Sequence, residues 1–421
     1  MVGFDISKEI GAIASRDKMI RYFDGYSSER MDELAERKTK RPLVKSYMLE
    51  HVGSAGSQKH ADDLLNNNGM ETIKIDENLF QVRDKRRDGE YMGFIEVLNP
   101  RYFVFYTIHH SEKSDRWIND LVLNSHELDH VWLSGLTFNV LWQRVAQLTK
   151  PNRYVSMLFV HESIYQIDNE YDGNEEEEEE DITTSPDDME VKDVVEKRAS
   201  KFRLVDKIHT VQKNLEQLQQ IYSPLYAISQ LRFPSPTGRG GHDFFDYGKV
   251  TNRSGDFRDH RLHILYVQRI YENLIRETEQ KAWHSIEQLS APAQFHKIIG
   301  SPVTIKFRDR LNKETFDYWI SSTFGRTKNR FRLWGNPIVL GPTKVHVYGL
   351  DKHLWKPIFL EITDEHLIAM LPKGTCGNTI HRLICNIQRY IDPGAEAYIG
   401  ETEYKSIVDK SSKGINYEPR D

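Results

Sequence analysis

The chain reads as an α+β protein of several units: an N-terminal mixed α/β domain, a central long helical hairpin, and a C-terminal two-layer α/β sandwich. Three observations predict this. Residues 303–348 hold three segments in which apolar residues alternate with basic or aromatic ones, the period of a strand buried on one face. Residues 208–222 and 257–289 carry apolar residues at spacings of three and four, the period of a helix. Between the first region and the first of those helices, residues 168–190 contain thirteen carboxylates and no lysine or arginine.

Taken in order, the first 45 residues are rich in charge and read as partly helical. Candidate strands follow at Leu79–Arg83, Tyr91–Leu98 and Arg101–Ile108, the last two joined by the turn dipeptide Asn99-Pro100. Ser111 is placed to cap a helix over about 112–123 that buries Trp117, Ile118, Leu121 and Val122. A short strand, His130–Leu133, leads through Gly135 into a helix with Phe138, Leu141, Trp142, Val145 and Leu148 on one stripe. Tyr154–Val160 then reads as a strand.

The acidic run closes this first domain at residue 168. It has turn formers and no apolar periodicity, so residues 169–190 read as a disordered linker. It also hides the character of the rest: the formal charge of −6 becomes +7 once its thirteen carboxylates are set aside. No apolar run approaches the roughly 20 residues that span a bilayer. Residues 1–15 show no secretory pattern, and Cys376 and Cys385 are too few for a disulfide framework. A reducing cytoplasm and no membrane partner are expected.

After the linker, a helix is expected from Val191 to Tyr222, with Ile208, Val211, Leu215, Leu218 and Tyr222 on a coiled-coil seam. A second, from about Phe257 to Leu289, carries Ile264, Val267, Tyr271, Leu274, Thr278 and Ala282 on one face. Together they suggest an antiparallel hairpin over 191–295, suited to a homodimer or a larger complex. Residues 296–400 then read as β (303–308), α (313–324), β (330–339), β (344–350), β (357–363), β (366–371) and α (377–391), with a tail over 401–421. This order resembles one repeat of the TATA-binding-protein fold, whose curved sheet sits on a duplex. The resemblance covers about 95 residues and concerns element order, so it implies an open sheet face and assigns no residue roles.

That open face is the leading candidate site. Lys306, Arg308, Arg330, Arg332, Trp334, Lys344, His346 and Tyr348 fall on it by alternation. Cations and flat rings on one sheet suit phosphates and stacked bases. The loop between the two long helices adds Arg239, Arg253, Arg258 and Arg261, each able to grip a phosphate, and the glycines Gly238, Gly240 and Gly241. A phosphate-binding P-loop is excluded, because His242 and Asp243 stand where lysine and serine or threonine are needed.

The same loop supplies a catalytic alternative. His242, Asp243, Asp246, Asp259, His260 and His263 are metal-ligand types, and His260 and His263 lie one helical turn apart. An HD-type phosphohydrolase would need a further histidine-aspartate pair, which His284-Ser285 and Phe295-His296 do not supply. In a PD-(D/E)xK nuclease, lysine should stand where the strands of Glu96 and Glu361 have Leu98 and Thr363; Glu403-Tyr404-Lys405 spells the tripeptide outside a clear strand. Ser134 before Gly135 is a helix cap and not a nucleophile. The expectation is therefore a nucleic-acid-binding protein, DNA or RNA, with no cofactor. The alternatives are a metal-dependent hydrolase or nuclease centred on 239–263, which would need a divalent metal, and a non-enzymatic subunit of a larger complex.

Overall fold

A strand buried on both faces organises the first sheet. In the computed structural model, which describes residues 10–36, 41–52, 65–66, 68–86, 89–166, 199–235, 240–288, 296–325 and 329–417, all eight residues of β1 (Val44–His51) are buried. On one side β1 pairs with β5 (Tyr102–Thr107). On the other it pairs with β11 (Lys249–Asn252) and, beyond it, β6 (Leu128–His130). From β5 the sheet continues through β4 (Glu90–Val97) and β3 (Leu79–Asp84) to β2 (Met70–Asp76). From β11 it continues through β10 (Gly241–Phe245), β9 (Ile228–Pro234) and β7 (Tyr154–Glu162) to β8 (Ala199–Lys207).

Helices cover both faces of this sheet. On one lie α1 (Arg16–Ala35), α3 (Gly135–Leu148), α4 (Ile208–Ile221) and α5 (Phe257–Ala282), which contribute Phe23, Phe138, Leu141, Ile208, Val211, Leu215, Ile264 and Val267 to a common core. On the other, α2 (Ser111–Asn124) lays Trp117, Ile118, Leu121 and Val122 against Tyr47, Leu49, Phe103 and Phe105. A fully buried side chain of this size contributes about 1.5–3 kcal/mol.

The second sheet runs β15 (Leu333–Gly341), β16 (Lys344–Asp351), β17 (Lys356–Thr363), β18 (His366–Pro372), β14 (Val303–Lys306), β19 (Glu396–Ile399) and β20 (Thr402–Glu403). A hairpin of β12 (Trp283–Gln288) and β13 (His296–Ile299) joins it alongside β18. Three helices, α6 (Lys313–Gly325), α7 (Asn378–Tyr390) and α8 (Tyr404–Ser412), pack Phe316, Trp319, Ile380, Leu383, Ile384 and Ile407 on one face. Helix α7 is buried along its whole length. Its apolar stripe meets the second sheet, and its polar side carries Arg382 and Arg389 to carboxylates of the first body. The protein is thus α+β, with eight helices and two large antiparallel sheets among the described residues, none of those helices being long and apolar enough to cross a membrane.

Several expectations are corrected. The acidic linker over 169–190 lies outside the described residues. Its flanks, β7 and β8, pair along their full length, so a boundary at 168 and 191 cuts through one sheet. Residues 199–207 are strand, and the expected helix begins only at Ile208. On α4, Ile208, Val211, Leu215 and Gln219 are buried while Leu218 is 39% exposed. The stripe therefore follows the 3.6 period of a helix on a sheet and not the seam of a coiled coil.

The central hairpin does not form. Helix α4 packs beside α3 and β8, whereas α5 packs beside α1 and α8. The segment between them is three strands, not a loop. Two of its described glycines take the left-handed backbone, Gly240 at φ +84 and Gly248 at φ +76, and a Cβ on Gly240 would sit 2.0 Å from the Arg253 carbonyl oxygen; Gly241 belongs to β10.

Candidate functional site

Strand β10 and the first turns of α5 bring together His242, Asp259, His260 and His263, which are all buried. Alternation along β10 turns His242 towards the helix and Asp243 to the opposite face. The hydrogen-bond chain has one consistent direction. The Asp259 carboxylate accepts from His242 Nε2 at 2.8 Å and from Ser235 Oγ at 2.6 Å. A neutral His242 then offers Nδ1 as acceptor, so His260 Nδ1 donates to it at 3.2 Å. His260 Nε2 in turn accepts from Ser46 Oγ at 2.8 Å. Tyr417 closes the cluster from the C-terminal segment: its hydroxyl bonds Asp259 and lies 2.9 Å from His263 Nδ1, while its ring stands 4.6 Å from the His263 ring.

The electrostatics follow from this burial. Burial, with His263 nearby, lowers His242 to about 4. His260 is pushed well down by burial and by the two neighbouring imidazoles. Burial alone would raise the Asp259 carboxyl, yet its bonds from His242 and His263 hold it far below the usual range. Ligand atoms of His242, Asp259 and His263 lie within 4.8 Å of one another, a spacing open to a cation. Both ring nitrogens of His242 and of His260 already have partners within the chain, however, so a cation would have to displace those bonds. The cluster keeps two imidazoles neutral and holds β10, β1 and α5 in register.

Asp243 does not join it. Arg232 and Arg253 clamp its carboxylate at 2.6 and 2.5 Å. Asp246 is also separate, 3.4 Å from Arg389. The arginines expected to grip phosphate are engaged by carboxylates of the chain itself. Arg258 meets Asp24 at 3.3 Å, and Arg261 holds Glu96 through two bonds of 2.8 and 2.6 Å. Arg239 lies outside the described residues.

The open face of the second sheet differs from expectation in its charge. Trp334 (53% exposed) and Tyr348 (64% exposed) project from β15 and β16, and Phe359 on β17 lies 4.7 Å from the Tyr348 ring. Lys344 and His346 share Glu361, at 2.8 and 2.7 Å, and these two partners hold its carboxyl down at about 2. Lys306 is exposed above the Tyr398 ring at 4.8 Å. Arg308 lies beyond the end of β14, 5.4 Å from the Tyr226 ring, and Arg330 precedes β15, 5.5 Å from the Tyr390 ring.

Arg332 is not on this face. Its φ of +53 breaks the alternation, because β15 begins only at Leu333. The side chain turns inward, 4% exposed, and donates to the carbonyls of Leu128 at 2.6 Å and Ser125 at 3.0 Å beside Asp129. The face is therefore more aromatic than cationic. Phe359, Glu361 and Met370 belong to it and were missed, although alternation on the strands expected at 357–363 and 366–371 places them there.

Comparison with known proteins adds kinship without a described activity. No solved structure matches the chain. A protein of Methanocaldococcus jannaschii described as Uncharacterized protein MJECL33 is 24% identical over 375 residues, which cover 83% of this chain and 85% of that one. The family described as MJECL33-like protein matches over residues 8–407, and the chain belongs to that family.

Proposed function

We propose that the protein binds single-stranded nucleic acid on the open face of its C-terminal two-layer unit. The observation that supports this reading is the group of rings on adjacent strands: Trp334, Tyr348 and Phe359, all exposed on the face opposite α6, α7 and α8. Exposed rings on a sheet are platforms for unpaired bases, and each stacked base contributes about 1–3 kcal/mol. Lys306 and Lys344 lie on the same face, two outward positions along the strands from Tyr348 and Phe359, and suit a passing phosphate backbone. Glu361 neutralises part of that charge, which favours stacking over charge as the main source of affinity and a single strand over a duplex.

The test is binding of fluorescent single-stranded and duplex DNA and RNA across a salt series. With two lysines available, the log–log salt slope should be no steeper than about −1.4 on single strands. Trp334→Ala and Tyr348→Ala should each weaken binding by about 1–3 kcal/mol with the slope unchanged, since stacking releases no counterions. Absence of binding at low salt, or binding that survives both substitutions in folded protein, defeats the proposal.

A further inference from the structure

Between the two sheets, Glu50 at the end of β1, His353 after β16 and Cys376 before α7 bring a carboxylate, an imidazole and a thiol together in full burial. Their ligand atoms all lie within 4.8 Å of one another. We propose that these three side chains bind a divalent cation of the zinc class, independently of the nucleic-acid face. Carboxylate oxygen, imidazole nitrogen and thiolate sulfur are all ligands of that ion, and three protein ligands leave one position for water.

The imidazole carries the inference. Neither ring nitrogen of His353 has a hydrogen-bond partner, although the side chain is wholly buried. A buried imidazole with two idle nitrogens is costly unless something else engages it. Leu354 and Trp355, which follow it, have φ of +67 and +51. Left-handed conformations of such bulky residues persist where the surroundings impose them. Asp129 Oδ2, 3.7 Å from His353 Nδ1, stands where the carboxylate partner of a ligating histidine is commonly found.

The other two ligands are already oriented. Arg101 Nε donates to Glu50 Oε1 at 2.6 Å, which leaves Oε2 facing the Cys376 thiol at 3.2 Å. Burial and the Glu50 carboxylate push the Cys376 thiol well up, and the N-terminus of the thirteen-residue α7, which it precedes, acts in the opposite sense. Charge bookkeeping agrees. Arg101 faces the carboxylates of Glu50 and Glu279, and in a neighbouring group Arg332 and Arg382 balance Asp129 and Asp351, which together leaves one negative charge in excess. A divalent cation that binds as the Cys376 S–H bond breaks, with the proton released to solvent, brings this to zero.

The experiment uses the full chain, freed of metal by chelator dialysis and titrated with Co²⁺, then with Zn²⁺. Binding should give one near-ultraviolet thiolate-to-cobalt band at one equivalent, displaced by Zn²⁺. Saturating Zn²⁺ should raise Tm by at least about 2 °C. Cys376→Ser should remove the band and the rise in Tm, and Glu50→Gln should weaken Co²⁺ binding at least tenfold if the serine variant fails to fold. Cys385→Ser, which changes the other cysteine, should keep both signals. A wild-type chain with no band and no rise in Tm, or a band that survives Cys376→Ser, overturns the proposal.

Discussion

Arg382 and Asp129 form an ion pair in which neither side chain touches solvent, and the pair joins α7 of the second sheet to β6 of the first. Burial alone would raise the Asp129 carboxyl, but Arg382 and Arg332 hold it well below its ordinary value. Arg382 also donates to Asp351 at 2.5 Å and to the Phe331 carbonyl at 3.0 Å, so each of its three guanidinium nitrogens is engaged where it crosses between the two bodies.

Removing one partner of such a pair costs more than the pair contributes, because the other charge stays buried without compensation. Asp129→Asn, which leaves both Arg332 and Arg382 short of a counter-charge, should cost about 3–5 kcal/mol in urea denaturation. Combining Asp129→Leu with Arg382→Met should cost clearly less than the sum of the two single changes. Strict additivity in that double-mutant cycle would mean that the two residues do not depend on each other.

The stripe on α4 yields a second prediction. Leu215 is buried in the first core, whereas Leu218 faces solvent. Leu215→Ala should therefore cost about 2–5 kcal/mol. Leu218→Ala should stay within about 0.5 kcal/mol of the parent. A loss from Leu218→Ala as large as that from Leu215→Ala in a thermal melt would restore the coiled-coil seam that the sequence suggests.

That contrast shows where the sequence was readable. The second sheet has one covered face, so β14, β16, β17 and β18 alternate and their bounds follow from period two. The first sheet is covered on both faces. β1 buries Lys45, Ser46 and Glu50 among its apolar residues, and β10 and β11 bury His242, Asp243, Lys249 and Thr251. These polar groups are satisfied by partners far along the chain, such as Lys249 Nζ on Asp115 at 2.9 Å, which no local pattern reveals. Strands β10 and β11 therefore read as a polar loop. The histidine cluster was visible as residues one turn apart near His242. Arg332 was misplaced because a single left-handed residue reverses a side chain without leaving a mark in composition.

The buried imidazoles make the fold sensitive to mild acid. Burial lowers His242 from 6.5 to about 4 and His381 from 6.5 to about 3. In the unfolded chain both titrate near 6.5, so between about pH 6.5 and 4 the unfolded state binds more protons than the folded one. Stability must then fall as pH falls through that window. The shift at His242 alone corresponds to about 3 kcal/mol, an upper bound reached only near pH 4. Carboxylates held below their ordinary range, such as Asp243 and Asp259, add their loss only at lower pH, beneath the ordinary aspartate value of 3.8. Urea midpoints measured from pH 7.5 to 4.5 should therefore begin to drop near 6.5, well before the carboxylates titrate. His242→Gln keeps an amide donor for Asp259 and an acceptor for His260; it should lower stability at pH 7 and flatten the drop by about one proton. A midpoint that stays level from pH 7 to 5 would show that the imidazoles reach solvent and that the relay from Ser46 to Asp259 is not closed.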